Sequence, residues 1–186
     1  STSLVALGMQ SLLAWTLAPE GRGEYAVCVV FSTLGSVLIL FGLDWAINYT
    51  ISSRQYSLNI SLSFALIALF VSSLIFAPVL FGLTRLPFEF FHKTTSSCLQ
   101  LSILWAIATS AFNYMAAGLR SVREFTFLSF LTVKKSVLDL VLAFVLLKCT
   151  SLFVMAPIIA DIISCFCFVA LALHRFTVKQ IGRAPV

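Results

Sequence analysis

The sequence predicts an all-α polytopic membrane protein of about six transmembrane helices. Three observations predict it. Hydrophobic residues make up 60% of the 186-residue chain and charged ones only 10%, against roughly 45–50% and about 25% in a soluble domain. The twelve basic and seven acidic residues leave Ser1–Pro19, Tyr25–Leu43, Gln55–Thr84 and Thr94–Leu119 free of charge, and each such stretch suffices to cross ~30 Å of hydrocarbon at ~1.5 Å per residue. Spans of about 20 residues joined by short turns then use up the length, so no extramembrane domain fits.

The elements follow in order. A first span, about Ser1–Leu17, ends at Ala18-Pro19-Glu20-Gly21-Arg22-Gly23, a run of helix breakers that reads as a turn. The second, about Tyr25–Ile51, carries one acid, Asp44. The third, about Leu58–Leu83, contains Pro78, which a membrane helix tolerates where neighbours satisfy the freed carbonyl. A loop over Thr84–Lys93 with Pro87 leads to the fourth span, about Ser96–Leu119, closed by Arg120-Ser121-Val122-Arg123-Glu124. The fifth, Phe125–Leu147, is apolar except for Lys134, Lys135 and Asp139, and a tight turn leads to the sixth, about Leu152–His174, with Pro157 and Asp161. Residues 1–174 form one helical unit, and Arg175–Val186 reads as a basic cytoplasmic tail or the start of a linker. Ser1 in place of an initiator Met, with no basic leader and no small-residue cleavage site, suggests residues missing upstream.

Orientation comes from the bases in alternate loops. Arg54, Arg120, Arg123, Arg175, Lys179 and Arg183 form one set and Arg22, Arg85, Lys93 and Lys148 the other, six against four. The richer set faces the cytoplasm, which puts both ends of the chain inside. The net charge of +5 is scattered rather than gathered in a stripe, so a nucleic-acid partner is not expected. The five cysteines lie in or beside apolar runs without metal or redox spacing and read as small apolar filler. His92 and His174 form no local motif, and the chain carries no His-Glu-x-x-His, no Gly-x-Ser-x-Gly and no glycine-rich phosphate loop. No catalytic residue, metal site or cofactor is therefore expected.

The charges inside the spans call for explanation, because a charge at the centre of a membrane helix costs ~2.5–3.5 kcal/mol on insertion. Asp139 and Asp161 fall near the middle of two helices joined by a short turn. The readings are a proton- or cation-binding pair, or polar lining of a substrate cavity, against an interhelical hydrogen bond, or an acid neutralised within its own helix by Lys135 one turn before Asp139. Lys134 and Lys135 either snorkel to the cytoplasmic interface or offer cations to a phosphate. Asp44 with Asn48, Tyr49 and Arg54 suggests a loose polar cluster at a cavity mouth. Trp15, Trp45, Tyr49 and Trp105 read as interface or packing residues, the types that also line sugar paths.

The stretch Leu17-Ala-Pro-Glu-Gly-Arg-Gly-Glu-Tyr-Ala26 resembles the first-loop signature of the oligosaccharide flippases. Phe41-Gly-Leu-Asp-Trp-Ala-Ile-Asn-Tyr49 is similar to the end of that family's second helix, and Ala117-Gly-Leu-Arg-Ser-Val-Arg-Glu-Phe125 to the end of its fourth. The resemblance covers the chain as the N-terminal half of such a protein. It implies the multidrug, oligosaccharidyl-lipid and polysaccharide exporter superfamily: two six-helix lobes that move a polyprenyl-diphosphate-linked oligosaccharide across the bacterial inner membrane. Its partners would be that lipid-linked substrate, membrane lipids, and a second lobe in cis or as a separate half. Carried onto this chain, Arg22, Arg54, Lys134 and Lys135 are the expected substrate-binding bases, and Asp139 and Asp161 the expected ion-coupling acids. Two rivals remain: a drug/cation antiporter of the same superfamily, and an integral-membrane glycan polymerase or ligase.

Overall fold

The computed structural model describes residues 2–53, 58–85, 96–149 and 154–181. Among these residues there are seven helices and no strand. They are α1 (Thr2–Thr16), α2 (Pro19–Leu40), α3 (Leu43–Ser52), α4 (Leu58–Leu83), α5 (Ser96–Ser121), α6 (Phe125–Cys149) and α7 (Met155–Ile181). Four stretches are long and apolar enough to cross a membrane: Pro19–Leu40, Leu66–Leu83, Ser96–Ser121 and Met155–Arg175. The chain is thus an all-helical protein with the makings of a multi-pass membrane protein. α1, at 15 residues, reaches only ~22 Å, and α6 carries Lys134, Lys135, Asp139 and Lys148 along its length.

Three boundaries differ from the sequence reading. The segment Ala18–Gly23, expected as a turn, is the first turn of α2: Pro19 occupies its opening position, where its fixed φ suits a helix and its missing N–H costs nothing. The Arg22 amide already bonds back to the Ala18 carbonyl at 3.1 Å. Glycines 21 and 23 are tolerated inside the helix, and Gly21 is seated against Leu17 and Val154, which a Cβ would meet at 3.4 and 3.5 Å.

The second span is broken rather than continuous. Phe41 and Gly42 take left-handed backbone angles, φ 39° and 77°, so α2 ends and α3 restarts in a new direction. Glycine bears that conformation without penalty. At the other end of the chain, the tail expected from Arg175 continues α7 to Ile181.

α5 lies at the centre. It contributes to every main apolar cluster: with α1, α2 and α7 around Trp105 and Ile158, with α6 and α7 around Met115 and Leu131, with α2 and α4 around Ile103 and Leu80, and with α2 and α3 around Tyr114. Small residues allow this. Ser102, Ala106, Ala108, Ser110, Ala117 and Gly118 are all buried, and helices in a membrane associate through such surfaces because lipid supplies no hydrophobic drive between them. α2 answers with Cys28, Phe31, Ser32, Gly35, Ser36 and Ile39 at helical spacing. At Gly35 the approach is closest: a Cβ there would lie 3.0 Å from the Ala106 Cβ and 3.1 Å from Leu80 Cδ1.

Candidate functional site

α6 places Lys135 and Asp139 one turn apart on the same face, and α7 brings Asp161 against them. The Lys135 Nζ donates to Asp139 Oδ2 at 2.9 Å and to Asp161 Oδ1 at 2.5 Å. From α5, the Trp105 indole Nε1 donates to the other oxygen of Asp161. Tyr25 of α2 stacks on Trp105 with ring centroids 6.1 Å apart, and the Lys135 amine stands 5.3 Å from the centroid of the Phe112 ring. Cys165, one turn after Asp161, directs its Sγ at Oδ2 from 3.9 Å. Four helices therefore converge on one ionic centre.

The centre is largely withdrawn from solvent, with side-chain exposures of 13% for Lys135, 17% for Asp139 and 24% for Asp161. At such sites charges persist only when paired and hydrogen-bonded. The balance is uneven: one ammonium faces two carboxylates, and Asp139 Oδ1 is buried without a hydrogen-bond partner among the described residues. Lys135, held between two carboxylates, is neither a free base nor a nucleophile, and the arrangement suits a cation or a proton better than bond-making chemistry. No cluster of three or more His, Cys, Asp or Glu placed to hold a metal occurs among the described residues.

The expected bases do not gather at this centre. Lys134 is exposed and leans over the Phe130 ring at 4.3 Å from its centroid, so consecutive lysines on α6 have opposite surroundings. Arg22 turns back along the end of α1, with Nε donating to the Leu17 carbonyl at 3.3 Å and Nη2 donating to the Ala14 carbonyl. It thereby caps carbonyls that the helix end leaves open. It also borders a crevice of about 350 Å³ between α1 and α2, with Gln10, Leu13 and Tyr25 on its walls. Arg54 lies outside the described residues, as does the loop with Lys93.

Of the polar cluster expected near Asp44, Asn48 joins α3 to α5 by accepting from the Ser121 hydroxyl at 2.9 Å. Asp44 sits half-buried in the first turn of α3, where an acid suits the helix N-terminus, and Tyr49 is exposed.

The sequence reading gave Trp105 an interface or packing role and assigned no role to the Tyr25 side chain. A signal existed for Trp105. It sits in the middle of its span rather than at an end, and a buried indole N–H requires an acceptor. Asp161, midway along its own span, was a candidate acceptor on another helix.

A second feature adjoins the ionic centre. Between α6 and α7 runs a crevice of about 430 Å³ whose walls include Leu131, Lys134, Lys135, Val141, Phe168 and Leu171. Compared with protein-family models, curated proteins and solved structures, the chain matches none.

Proposed function

We propose that the chain is one six-helix lobe of a flippase that carries a polyprenyl-diphosphate-linked oligosaccharide across a bacterial inner membrane for surface polysaccharide synthesis. In this reading α1, α2 with α3, α4, α5, α6 and α7 supply the six spans, and both ends of the segment face the cytoplasm. The observation that carries it is the ionic centre of Lys135, Asp139 and Asp161. Ionisable groups inside apolar helices are retained where they border a substrate or ion path. The patterns at Leu17–Ala26 and Phe41–Tyr49 supply the cargo.

The mechanism is alternating access between two lobes. Bases near the cytoplasmic mouth, among Arg22, Arg54, Lys134 and Lys135, engage the diphosphate. The glycan crosses a polar path while the lipid tail stays in the bilayer, and a cation or proton at Asp139 and Asp161 couples the cycle. The excess carboxylate at the centre supports that last step and equally favours a drug/cation antiporter, the nearest rival.

Deletion of the gene separates these readings. A flippase leaves lipid-linked units on the cytoplasmic leaflet, a polymerase or ligase leaves them on the outer leaflet, and an antiporter changes drug resistance without trapping glycan. Full-length protein carrying Asp139→Asn with Asp161→Leu is expected to reach the membrane and lose surface glycan. Normal glycan in that variant removes the coupling role.

A further inference from the structure

Two crevices border the ionic centre, and their chemistry differs. The one between α6 and α7 is apolar almost throughout. Lys135 and Ser164 line it, but their polar atoms are engaged elsewhere: Lys135 Nζ with Asp139 and Asp161, and Ser164 Oγ donating to the Ala160 carbonyl at 2.9 Å. The Lys134 amine lies over the Phe130 ring. Water needs two or more polar partners to enter a cavity, and an apolar one stays dry.

The crevice between α1 and α2, about 350 Å³, is built differently. Gln10 of α1 brings an amide to it, Arg22 a guanidinium and Tyr25 a phenol. Its volume is many times the ~30 Å³ that a water occupies in the liquid, and three polar side chains supply partners. Gln10 is exposed near the middle of α1. A polar group at mid-helix is retained where it faces protein or a water-filled cavity rather than hydrocarbon.

Tyr25 joins this crevice to the ionic centre. Its ring forms part of the crevice wall and also stacks on Trp105, 6.1 Å between centroids and 28° between planes. The Trp105 indole donates to Asp161, and Tyr25 lies within electrostatic reach of Asp161, Asp139 and Lys135. Crevice, Tyr25, Trp105 and Asp161 therefore follow one another across α2, α5 and α7. One aromatic ring, half-buried, stands between the polar crevice and the buried charges.

We propose that the α1–α2 crevice is the aqueous route to the ionic centre, open to water and small ions, and that Tyr25 is the gate at its inner end. The α6–α7 crevice, although larger and in contact with Lys135, is dry. That the centre puts an arriving ion to use rests on the coupling role proposed above; the route itself rests on the crevice and Tyr25.

A native thiol reports on the gate. Cys165 is 1% exposed and its Sγ lies 3.9 Å from Asp161 Oδ2. The test uses full-length protein in phosphatidylcholine nanodiscs, with the exposed Cys149 and Cys167 replaced by serine. A small cationic methanethiosulfonate, which does not enter hydrocarbon, is added, and modified peptides are quantified by mass spectrometry. Tyr25→Ala should speed modification of Cys165 by at least about tenfold, because a closed gate is open only a minor fraction of the time. Adding Ala26→Trp, which fills the α1–α2 crevice, should return the rate to its starting value, whereas adding Val141→Trp in the α6–α7 crevice should not. No acceleration, acceleration that survives Ala26→Trp, or acceleration lost with Val141→Trp overturns the proposal.

A second measurement leaves Tyr25 in place. Ala26→Cys should react with the reagent and Val141→Cys should not; an unreactive Ala26→Cys, or a Val141→Cys that reacts as fast, overturns the route even where Tyr25→Ala does not fold. The coupling role fails separately. Normal surface glycan in the Asp139→Asn, Asp161→Leu protein removes coupling and leaves the route, and loss of glycan there with an unreactive Ala26→Cys removes the route and leaves coupling.

Discussion

α4 and α6 are nearly equal in length, 26 and 25 residues, and among described residues each buries two side chains outright, Leu69 and Leu80 in α4 and Leu131 and Ala143 in α6. Their contents are opposite. α4 presents Phe64, Ile67, Phe70, Leu74, Ile75 and Val79 outward and is apolar on every side, which suits a helix whose surroundings are lipid. α6 carries charges at mid-length, pairs Lys135 with its own Asp139 and with Asp161 of α7, and leaves Lys134 exposed beside a crevice. α4 is anchored through Leu69 and Leu80 against α2 and α5 and is otherwise apolar outward, whereas α6 adds a buried ionic centre to its packing on α5 and α7. The two should fail under different insults.

The largest effect is expected at the centre. Lys135→Met leaves two carboxylates unpaired inside the bundle and should destabilise the protein by about 3–5 kcal/mol, read as a fall in thermal midpoint in nanodiscs. The triple replacement Lys135→Met, Asp139→Leu and Asp161→Leu should recover most of that loss, because an apolar set of similar volume leaves no charge unpaired. A single Lys135→Met that melts with the unaltered protein would show that the centre does not hold α6.

On α4 the sensitive quantity is insertion. Ile75→Lys puts a charge mid-span on the lipid-facing side and should cost ~2.5–3.5 kcal/mol, measured as the fraction of the isolated segment inserted by a translocon assay. Insertion unchanged by that lysine would mean α4 is not in hydrocarbon.

Where α2 meets α4 and α5, Gly35→Leu drives a side chain into the Ala106 backbone layer and should cost ~1–3 kcal/mol. The Ala106 Cβ already lies within 3.0 Å of a Cβ built at Gly35. Trp105→Phe keeps the ring stacked near Tyr25 but removes the donor to Asp161, for a loss of ~1–3 kcal/mol. Pairing it with Asp161→Leu in a double-mutant cycle should reveal coupling, and strict additivity would deny the bond. The smallest effect belongs to Lys134→Gln, within about 0.5 kcal/mol, since that side chain is exposed and stands outside the ionic centre.

Parts of the arrangement were legible before any coordinates. Lys135 and Asp139 are one turn apart, so their pairing follows from helix geometry once the segment is helical. Only five residues separate Cys149 from Met155, which makes α6 and α7 neighbours and brings Asp161 within reach of the same face. Scarcity of charge pointed to an all-helical chain with helices apolar enough to cross a membrane, because the bilayer core accepts few other structures.

Other parts were not legible, for local reasons. Phe41-Gly42-Leu43 is apolar throughout and carries no turn composition, so hydropathy runs through a break made by two left-handed residues. Pro19, Gly21 and Gly23 read as punctuation, yet proline at a helix start and a glycine seated against Leu17 and Val154 serve the helix instead.

What the sequence alone determined, then, is the helical class and its periodicity: long uncharged runs give helices apolar enough to cross a membrane, and each charge within the helices is exceptional. What only the tertiary structure decided is which exceptions meet. Lys134 and Lys135 are adjacent in the chain but about 100° apart around the helix, and only the packing of α6 on α7 and α5 determines which of them turns inward. The bonds from Lys135 and Trp105 to Asp161 join residues 26 and 56 positions apart. Their closure depends on how small residues on α5 let its neighbours approach, which no single stretch of sequence encodes.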